Sequence, residues 1–305
     1  MSTLDAVPAD PPADDAGVEA FWQRLGLPGL VDVHTHFLPD RMQRRVWSHF
    51  DETGPLIGRP WPITYRWSHD DRLAYLPRLG VRAFTALSYA HRPGMAADLT
   101  RWSLALAETA PGCVPSATFY PEDGVTRYVR DALDRGARVF KVHAQVGGFD
   151  LREPVLDPVW GLLTEAGVPV VVHIGSGPVP RDGVTGPEPL DGVLARHPDL
   201  TAVVAHMGAP EYGDFIALAQ RYPRVHLDTT MAFTDFFAEV APFPPELLPA
   251  LLDLQGRIVL GTDFPNIPYP YAHQFDALAR LGLGDDWLRA VCWHNGRRLL
   301  AYQAP

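Results

Sequence analysis

The run Val170-Val171-Val172-His173 is a short stretch of β-branched, apolar residues that ends in a metal-ligand side chain. Three further stretches also end in residues of this kind: Asp32-Val33-His34-Thr35-His36, Val203-Val204-Ala205-His206 and Gly261-Thr262-Asp263. A buried strand that ends in histidine or aspartate delivers that side chain to the rim of a sheet. Several such strands that converge on one rim indicate a metal site, so these stretches bear on both fold and function.

The two histidines of the Asp32–His36 stretch are predicted to lie on one face of a strand, because strand side chains alternate between faces. His34 and His36 would then be about 7 Å apart along the chain and able to bind one ion. Imidazole and carboxylate ligands suit zinc, iron, manganese and nickel, and affinity alone does not choose among them. We expect one divalent ion, with zinc as the first candidate and the other three metals left open.

Eight strand-like segments, and the helical patterns between them, predict the fold. The strands fall near residues 30–36, 81–88, 113–119, 137–143, 168–174, 201–206, 224–228 and 257–262. The helices fall near residues 18–25, 97–109, 125–135, 158–166 and 212–221, and glycine or proline marks most junctions. Strands that alternate with helices predict a parallel (β/α)8 TIM barrel, whose active site forms at the C-terminal ends of the strands.

The segments outside this regular alternation suggest the domain organisation. We expect a single barrel domain over residues 18–305, preceded by a disordered tail at residues 1–17 that is rich in alanine, aspartate and proline. An aromatic-rich insertion at about residues 40–75 follows the first strand. It is interpreted either as a small packing subdomain or as a cap over the barrel mouth whose aromatic side chains contact the substrate.

The composition disfavours several classes of protein. With 26 Lys and Arg against 36 Asp and Glu, the formal net charge is −10, which argues against nucleic-acid binding. The two cysteines form neither a disulfide framework nor a zinc-knuckle pattern. The N-terminus lacks the features of a secretory signal, and no apolar run approaches the roughly 20 residues of a membrane span. We expect a cytoplasmic protein with a small-molecule substrate and no membrane partner, and leave a homodimer open.

Four motifs, in order along the chain, resemble those of the amidohydrolase superfamily: Val31-Asp32-Val33-His34-Thr35-His36-Phe37-Leu38-Pro39, Ala205-His206-Met207-Gly208, Leu260-Gly261-Thr262-Asp263-Phe264-Pro265 and His294-Asn295-Gly296-Arg297-Arg298-Leu299-Leu300. The first is most similar to the amidohydrolase-related branch that includes aminocarboxymuconate-semialdehyde decarboxylase. The resemblance covers about residues 29–302. It implies four metal ligands, His34, His36, His173 and Asp263, and two catalytic residues, His206 and Asp263.

The implied chemistry leaves the reaction open. Because a divalent ion lowers the pKa of water and polarises a carbonyl group, the first hypothesis is a metal-dependent hydrolase of an ester, lactone or amide. Asp263 would take the proton from the attacking water, and His206 would stabilise the oxyanion or protonate the leaving group. The second hypothesis is a non-oxidative decarboxylase of an unsaturated or aromatic carboxylic acid that uses the same site. A metal-free lactonase and a non-catalytic binding protein are further alternatives.

Residues on the second and fourth strands are candidate substrate contacts. Lys141 and His143 share a face of the fourth strand by the period-2 rule, so both would point into the barrel mouth. As the resemblance implies, Lys141 could instead be carboxylated and bridge two metals, although the ligands seen suffice for one ion. His91 and Arg92 end the second strand and are candidates too, with Arg92 suited to a substrate carboxylate. Asp228 is expected to orient a ligand histidine.

Overall fold

The computed structural model describes residues 11–53 and 59–303. Over these residues nine short strands run parallel: β1 Leu30–Asp32, β2 Val81–Thr85, β3 Cys113–Val114, β4 Ser116–Thr118, β5 Val139–His143, β6 Val170–His173, β7 Ala202–Val204, β8 Val225–Asp228 and β9 Ile258–Val259. They occupy the eight predicted positions, because Pro115 divides the third predicted strand into β3 and β4. Proline has no N–H to donate to a neighbouring strand. The hydroxyl of Ser116 instead accepts the Ala86 N–H at 3.0 Å.

The strands pair in chain order around a closed barrel. One sheet contains β1, β2 and β3, and the other contains β4 to β9. Backbone hydrogen bonds beyond the assigned strands close the seam between β9 and β1: Val33 N donates to Leu260 O and Asp263 N to His34 O, both at 2.9 Å. The predicted (β/α)8 barrel is confirmed, and its strands direct their C-terminal ends to one mouth.

Helices connect the strands: α1 Val18–Arg24, α2 Asp40–Thr53, α3 His69–Arg78, α4 Ala96–Thr109, α5 Val125–Asp134, α6 Ala144–Gly147, α7 Asp157–Ala166, α8 Pro187–Arg196, α9 Tyr212–Arg221, α10 Asp235–Ala238, α11 Leu248–Asp253, α12 Ala272–Arg280, α13 Asp285–Arg289 and α14 Asn295–Leu299. The prediction at residues 212–221 is confirmed at both ends. α9 stops two residues before Pro223, because the residue that precedes a proline disfavours helical geometry. Among residues 11–53 and 59–303, no helix is both long and apolar enough to cross a membrane.

The first strand is shorter than predicted. β1 ends at Asp32, so the expectation that His34 and His36 lie within a strand at residues 30–36 is wrong. Single backbone hydrogen bonds hold the chain there between its neighbours: His36 N donates to Phe264 O at 2.7 Å, and Leu87 N donates to Thr35 O at 3.0 Å. The two imidazole rings nevertheless lie together, with 5.0 Å between their centroids.

Part of the predicted tail, residues 11–17, is ordered. Asp15–Gly17 form a 3₁₀ turn, and Asp15 accepts hydrogen bonds from the hydroxyls of Tyr65 and Tyr75 at 2.5 and 2.7 Å. Asp15 also accepts the Ala272 N–H at 2.8 Å. The predicted disordered tail is therefore wrong for residues 11–17, because side chains far away in sequence anchor this segment. Residues 1–10 lie outside the described residues.

The insertion packs on the loop that follows β9, where three of its side chains hydrogen-bond to Asn266. The Asn266 side-chain oxygen accepts hydrogen bonds from Gln43 Nε2 and Trp47 Nε1, both at 3.1 Å. Its backbone carbonyl accepts the Trp61 indole N–H at 2.8 Å. These are packing contacts beside the barrel mouth. Part of the predicted insertion, residues 54–58, lies outside the described residues, and both interpretations of the insertion stay predictions.

Candidate metal centre

Three candidate ligands from three different strand ends lie close together. His34, His206 and Asp263 each offer one ligand atom, and these atoms lie within 4.8 Å of one another. The two histidines are buried, and the Asp263 side chain is 13% exposed. Because these residues follow β1, β7 and β9, which end at the same barrel mouth, side chains far apart in sequence meet there.

Hydrogen bonds determine which nitrogen of each ring faces the centre. In His34, His36 and His206, Nδ1 lies within hydrogen-bond distance of an oxygen that can only accept. These oxygens are Asp228 Oδ2 for His34, the Leu87 carbonyl for His36 and the Thr230 carbonyl for His206, at 2.8, 2.9 and 3.1 Å. A neutral imidazole that donates through Nδ1 keeps a lone pair on Nε2. Histidines that bind metals in proteins are commonly oriented in this way.

The contact between His36 and Asp263 fits a bound cation. Nε2 of His36 lies 2.8 Å from Oδ1 of Asp263, and Nε2 of His34 lies 3.6 Å from the same oxygen. Because Nδ1 of His36 already carries a proton, the Nε2 lone pair would face the carboxylate lone pairs unless positive charge lay between them. A second ring proton or a metal ion supplies that charge. The nitrogen and oxygen donors present therefore fit a divalent transition metal.

Burial lowers the pKa of His34 and His206, and the neighbouring histidines lower the pKa of two carboxylates, Asp228 and Asp263. Burial alone would raise the pKa of Asp263, but its hydrogen bond to His36 and its attraction to His36 and His34 lower that pKa well below the ordinary value. Burial would also raise the pKa of Asp228, yet the neighbouring His34 holds it at about 2. Burial lowers the pKa of His34 to about 4, and the charge of Lys141 acts in the same direction. These are the protonation states that metal ligands require.

Asp228 connects two of the candidate ligands. Its Oδ2 accepts the hydrogen bond from Nδ1 of His34 at 2.8 Å, and its Oδ1 accepts the backbone N–H of His206 at 2.9 Å. The N–H of Thr230 adds a third hydrogen bond at 3.1 Å. These contacts agree with the prediction that Asp228 orients a ligand histidine, and that role stays a prediction.

The backbone of two candidate ligands is left-handed. His206 has a φ of 55° and Asp263 a φ of 69°, backbone values that residues other than glycine rarely adopt. Such a conformation costs on the order of 1–3 kcal/mol per residue and persists where the surroundings enforce it, commonly at functional sites. Here the N–H of Asp263 donates to the His34 carbonyl at 2.9 Å. The strained positions therefore include two of the residues that carry the candidate chemistry.

Lys141 is buried among the candidate ligands. Its Nζ lies 3.1 Å from Nε2 of His34, and the residue is 1% exposed. Burial lowers the pKa of Lys141 to about 8, although the charges of Asp228 and Asp263 oppose that shift. The ammonium group thus donates to the lone pair that His34 would offer to a metal. Carboxylation of Lys141 and its contact with substrate both stay predictions.

Six rings form a closed circuit around the centre. In order they are His36, His34, His206, His173, His143 and Tyr89, with successive centroid distances of 5.0, 5.4, 4.7, 3.8 and 4.8 Å and 6.2 Å from Tyr89 back to His36. His173 is outside the compact group of three ligands and reaches it through the ring of His206. His143 stacks on His173 with an interplanar angle of 12°.

Tyr89 lies in the ring circuit, whereas the residues predicted from the sequence to contact the substrate, His91 and Arg92, do not. His91 and Arg92 are exposed in the loop after β2, so their placement does not support the predicted contact with a substrate. Tyr89 is partly buried, and burial raises the pKa of its phenol to about 12, so the hydroxyl keeps its proton. The sequence offers one indication that Tyr89 belongs to the site, which is its position directly after the predicted strand at residues 81–88. Because a tyrosine at such a position is also typical of ordinary packing, the sequence analysis does not identify Tyr89.

An amidohydrolase family model matches residues 31–301, which include every candidate site residue. The chain belongs to the amidohydrolase family. Membership supports a metal-dependent enzyme of the amidohydrolase superfamily and leaves the reaction and the metal open. No curated protein matches the chain in sequence.

Several solved structures share this fold at low sequence identity. An uncharacterized TIM-barrel protein from Bordetella bronchiseptica is 21% identical with a TM-score of 0.72, over 90% of this chain and 98% of that one. A probable 2-pyrone-4,6-dicarboxylic acid hydrolase from Acinetobacter baumannii is 12% identical with a TM-score of 0.61, over 90% and 100%. A manganese complex of 5-carboxyvanillate decarboxylase from Novosphingobium aromaticivorans is 15% identical with a TM-score of 0.59, over 91% and 97%. At these identities the likeness shows the fold alone.

Proposed function

We propose that this member of the amidohydrolase family is a metal-dependent hydrolase that acts on an ester, lactone or amide of a small molecule. The observation that carries the proposal is the group of His34, His206 and Asp263, whose imidazole lone pairs and ionised carboxylate face one centre. A divalent cation, when bound, polarises a carbonyl group and lowers the pKa of water. One ion suffices for the ligands present, and zinc is the first candidate.

His34, His36 and Asp263 would hold the ion, because both ring nitrogens approach Oδ1 of Asp263. The remaining protein position has two candidates. The family resemblance favours His173, whereas the compact group favours His206. Metal analysis of the His173→Ala and His206→Ala chains distinguishes them, because the ligand's removal lowers the metal content and the other substitution does not.

Asp263 and His206 would move the protons of the reaction. The hydrogen bond and charge of His36 lower the pKa of Asp263, so this carboxylate stays ionised, which is the form that can accept a proton from the attacking water, although a lowered pKa also makes it a weaker base. His206 holds its ring in place through the Thr230 carbonyl and presents Nε2 on the side of Asp263. In the role that the resemblance implies, His206 would stabilise the oxyanion or protonate the leaving group, and for the second task its Nε2 would first take up the proton that Asp263 accepts from the water. The mostly buried position of both side chains limits competing water.

The test is a hydrolysis screen of lactones, esters and amides with the zinc-loaded and the manganese-loaded chain. We expect turnover that disappears after chelation and returns with the metal. Asp263→Asn should lower kcat/KM by at least about a hundredfold, the usual scale for a general base. Asp191→Asn removes a surface carboxylate paired with Arg221 and serves as the control. Near-normal turnover of the Asp263→Asn chain would overturn the proposed chemistry.

Lys141 favours decarboxylation as the second candidate. A buried ammonium group among the candidate ligands is suited to hold a substrate carboxylate. The manganese complex of the 5-carboxyvanillate decarboxylase shows that this fold accommodates such an enzyme. Release of CO2 from an aromatic carboxylic acid, without hydrolysis of any ester, lactone or amide in the screen, would replace the hydrolase with this second candidate.

A further inference from the structure

The circuit of six rings divides into two halves with opposite hydrogen-bonding character. In the metal half, formed by His34, His36 and His206, Nδ1 faces an oxygen that accepts, so each Nε2 keeps a lone pair. Of the other three rings, His173 is a candidate for the remaining ligand position, whereas His143 and Tyr89 are not candidate ligands. The hydrogen-bonding groups of His143 and Tyr89 set the character of this side of the circuit, and the charge of Asp263 acts on both residues.

His143 is oriented in the reverse sense. Its Nδ1 accepts the backbone N–H of Val146 at 3.3 Å, at the start of the short helix α6. An imidazole that accepts through Nδ1 is neutral and carries its proton on Nε2. His143 therefore presents a donor where the three metal-half histidines present acceptors. Such a ring is unsuited to bind a cation through Nε2 and suited to bind an oxygen atom.

Tyr89 presents a second donor beside it. Its ring lies 4.8 Å from that of His143 and 6.2 Å from that of His36, so it joins the two halves of the circuit. Within residues 11–53 and 59–303, the Tyr89 hydroxyl donates to no protein acceptor, and the side chain is partly exposed at the barrel mouth. Lys141 precedes His143 by two residues on β5, and its positive charge favours an anionic acceptor nearby.

We propose that Tyr89 and His143 form an oxygen-binding subsite, which holds a carboxylate or similar anionic oxygen of the substrate beside the metal half of the centre. This inference rests on the proposed function, because it assumes that the reacting group of the substrate lies at the metal half. Hydrogen bonds from neutral donors to a charged oxygen are stronger than those to a neutral one. The subsite therefore selects substrates that carry an acidic group next to the bond that reacts.

The test measures binding of benzoate to the zinc-loaded full chain by calorimetric titration, with benzyl alcohol as the uncharged probe. Tyr89→Phe and His143→Phe each remove one donor and keep the ring. We expect each to raise the Kd of benzoate about tenfold, the scale of one hydrogen bond to a charged group, without a change in metal content. His143→Gln, which keeps an N–H donor, should restore part of the affinity. His91→Ala, in the same loop as Tyr89, is the control and should bind like the wild type.

Two results would overturn the subsite. In the first, benzoate fails to bind the zinc-loaded wild type. In the second, both phenylalanine variants keep a Kd for benzoate within about twofold of the wild-type value, which is a much smaller change than the loss of a hydrogen bond to a charged group would cause. Metal content is measured on the same samples. A wild-type chain that holds no ion and still binds benzoate through Tyr89 and His143 would contradict the proposed function and leave the subsite standing.

Discussion

At the scale of single residues, Asp228 is hydrogen-bonded to two of the candidate ligands, and we expect it to orient them. Its two oxygens accept hydrogen bonds from the ring of His34 and from the backbone of His206. Asp228→Asn replaces one carboxylate oxygen by an NH2 group, so the side chain cannot accept from both His34 and the His206 N–H, and it removes the negative charge beside His34. We expect the affinity for zinc to fall about 10- to 100-fold, as for other residues that orient metal-binding histidines.

Competition with a chromogenic chelator measures that affinity. Asp191→Asn, at a surface ion pair with Arg221, controls for the general effect of losing one carboxylate. An Asp228→Asn chain that binds zinc as tightly as the Asp191→Asn chain would show that Asp228 does not orient the ligand.

The residues of the centre differ in how far the sequence reveals them. His173 is the last residue of β6, and His206 and Asp263 follow β7 and β9, so the apolar runs before them make their place at the barrel rim predictable. Two of the histidines, His36 and His206, donate hydrogen bonds to the backbone carbonyls of Leu87 and Thr230. Because every residue has a backbone carbonyl, these acceptors cannot be recognised from the sequence. The donor sense of His143 likewise depends on a backbone N–H that becomes visible only in three dimensions.

At the scale of elements, burial explains which strands could be located. Val170, Val171 and Val172 of β6 are all fully buried, as expected for a parallel strand covered on both faces. The same link between apolar runs and buried strands locates β5 and β7. It overestimates the length of β1, because the chain after Asp32 leaves the regular ladder and pairs by single hydrogen bonds with the loops after β2 and β9. Such irregular pairing has no periodic sequence pattern.

The turn after His206 requires glycine, which provides a prediction at this scale. Gly208 has a φ of +76°, and a Cβ atom there would lie 2.0 Å from the ring of Phe215. Gly208→Ala should lower the free energy of unfolding by on the order of 2–5 kcal/mol, from left-handed strain and overpacking together. Denaturant unfolding measures the change.

Gly213 supplies the matched control within the neighbouring helix α9. A Cβ atom at Gly213 would have Leu247 as its nearest neighbour at 3.8 Å, an ordinary contact. Gly213→Ala should therefore raise stability by about 0.5–1 kcal/mol, the usual gain for alanine over glycine in a helix. Equal stability of the two variants would contradict the structural account of this turn.

At the scale of the whole molecule, hydrogen bonds tie the N-terminal segment to the strand that leads into the centre. The Tyr65 hydroxyl donates to Asp15 and accepts the Tyr271 N–H at 2.6 Å, and the Tyr271 hydroxyl donates to Asp32 at 2.9 Å. Asp32 directly precedes the segment with the candidate ligands His34 and His36. These hydrogen bonds join residues that lie far apart in the chain. Composition does not reveal such contacts, and for that reason it predicted a disordered tail.

The central claim is that the barrel mouth holds one divalent ion, and the metal content of the purified full chain tests it most directly. Elemental mass spectrometry should find about one equivalent per chain, as the number of ligands present requires. The ion should be lost from His34→Ala and kept in His91→Ala, whose altered side chain is exposed outside the centre. A wild-type chain that holds no ion after growth with added zinc or manganese, or a His34→Ala chain that keeps its full equivalent, would contradict the account.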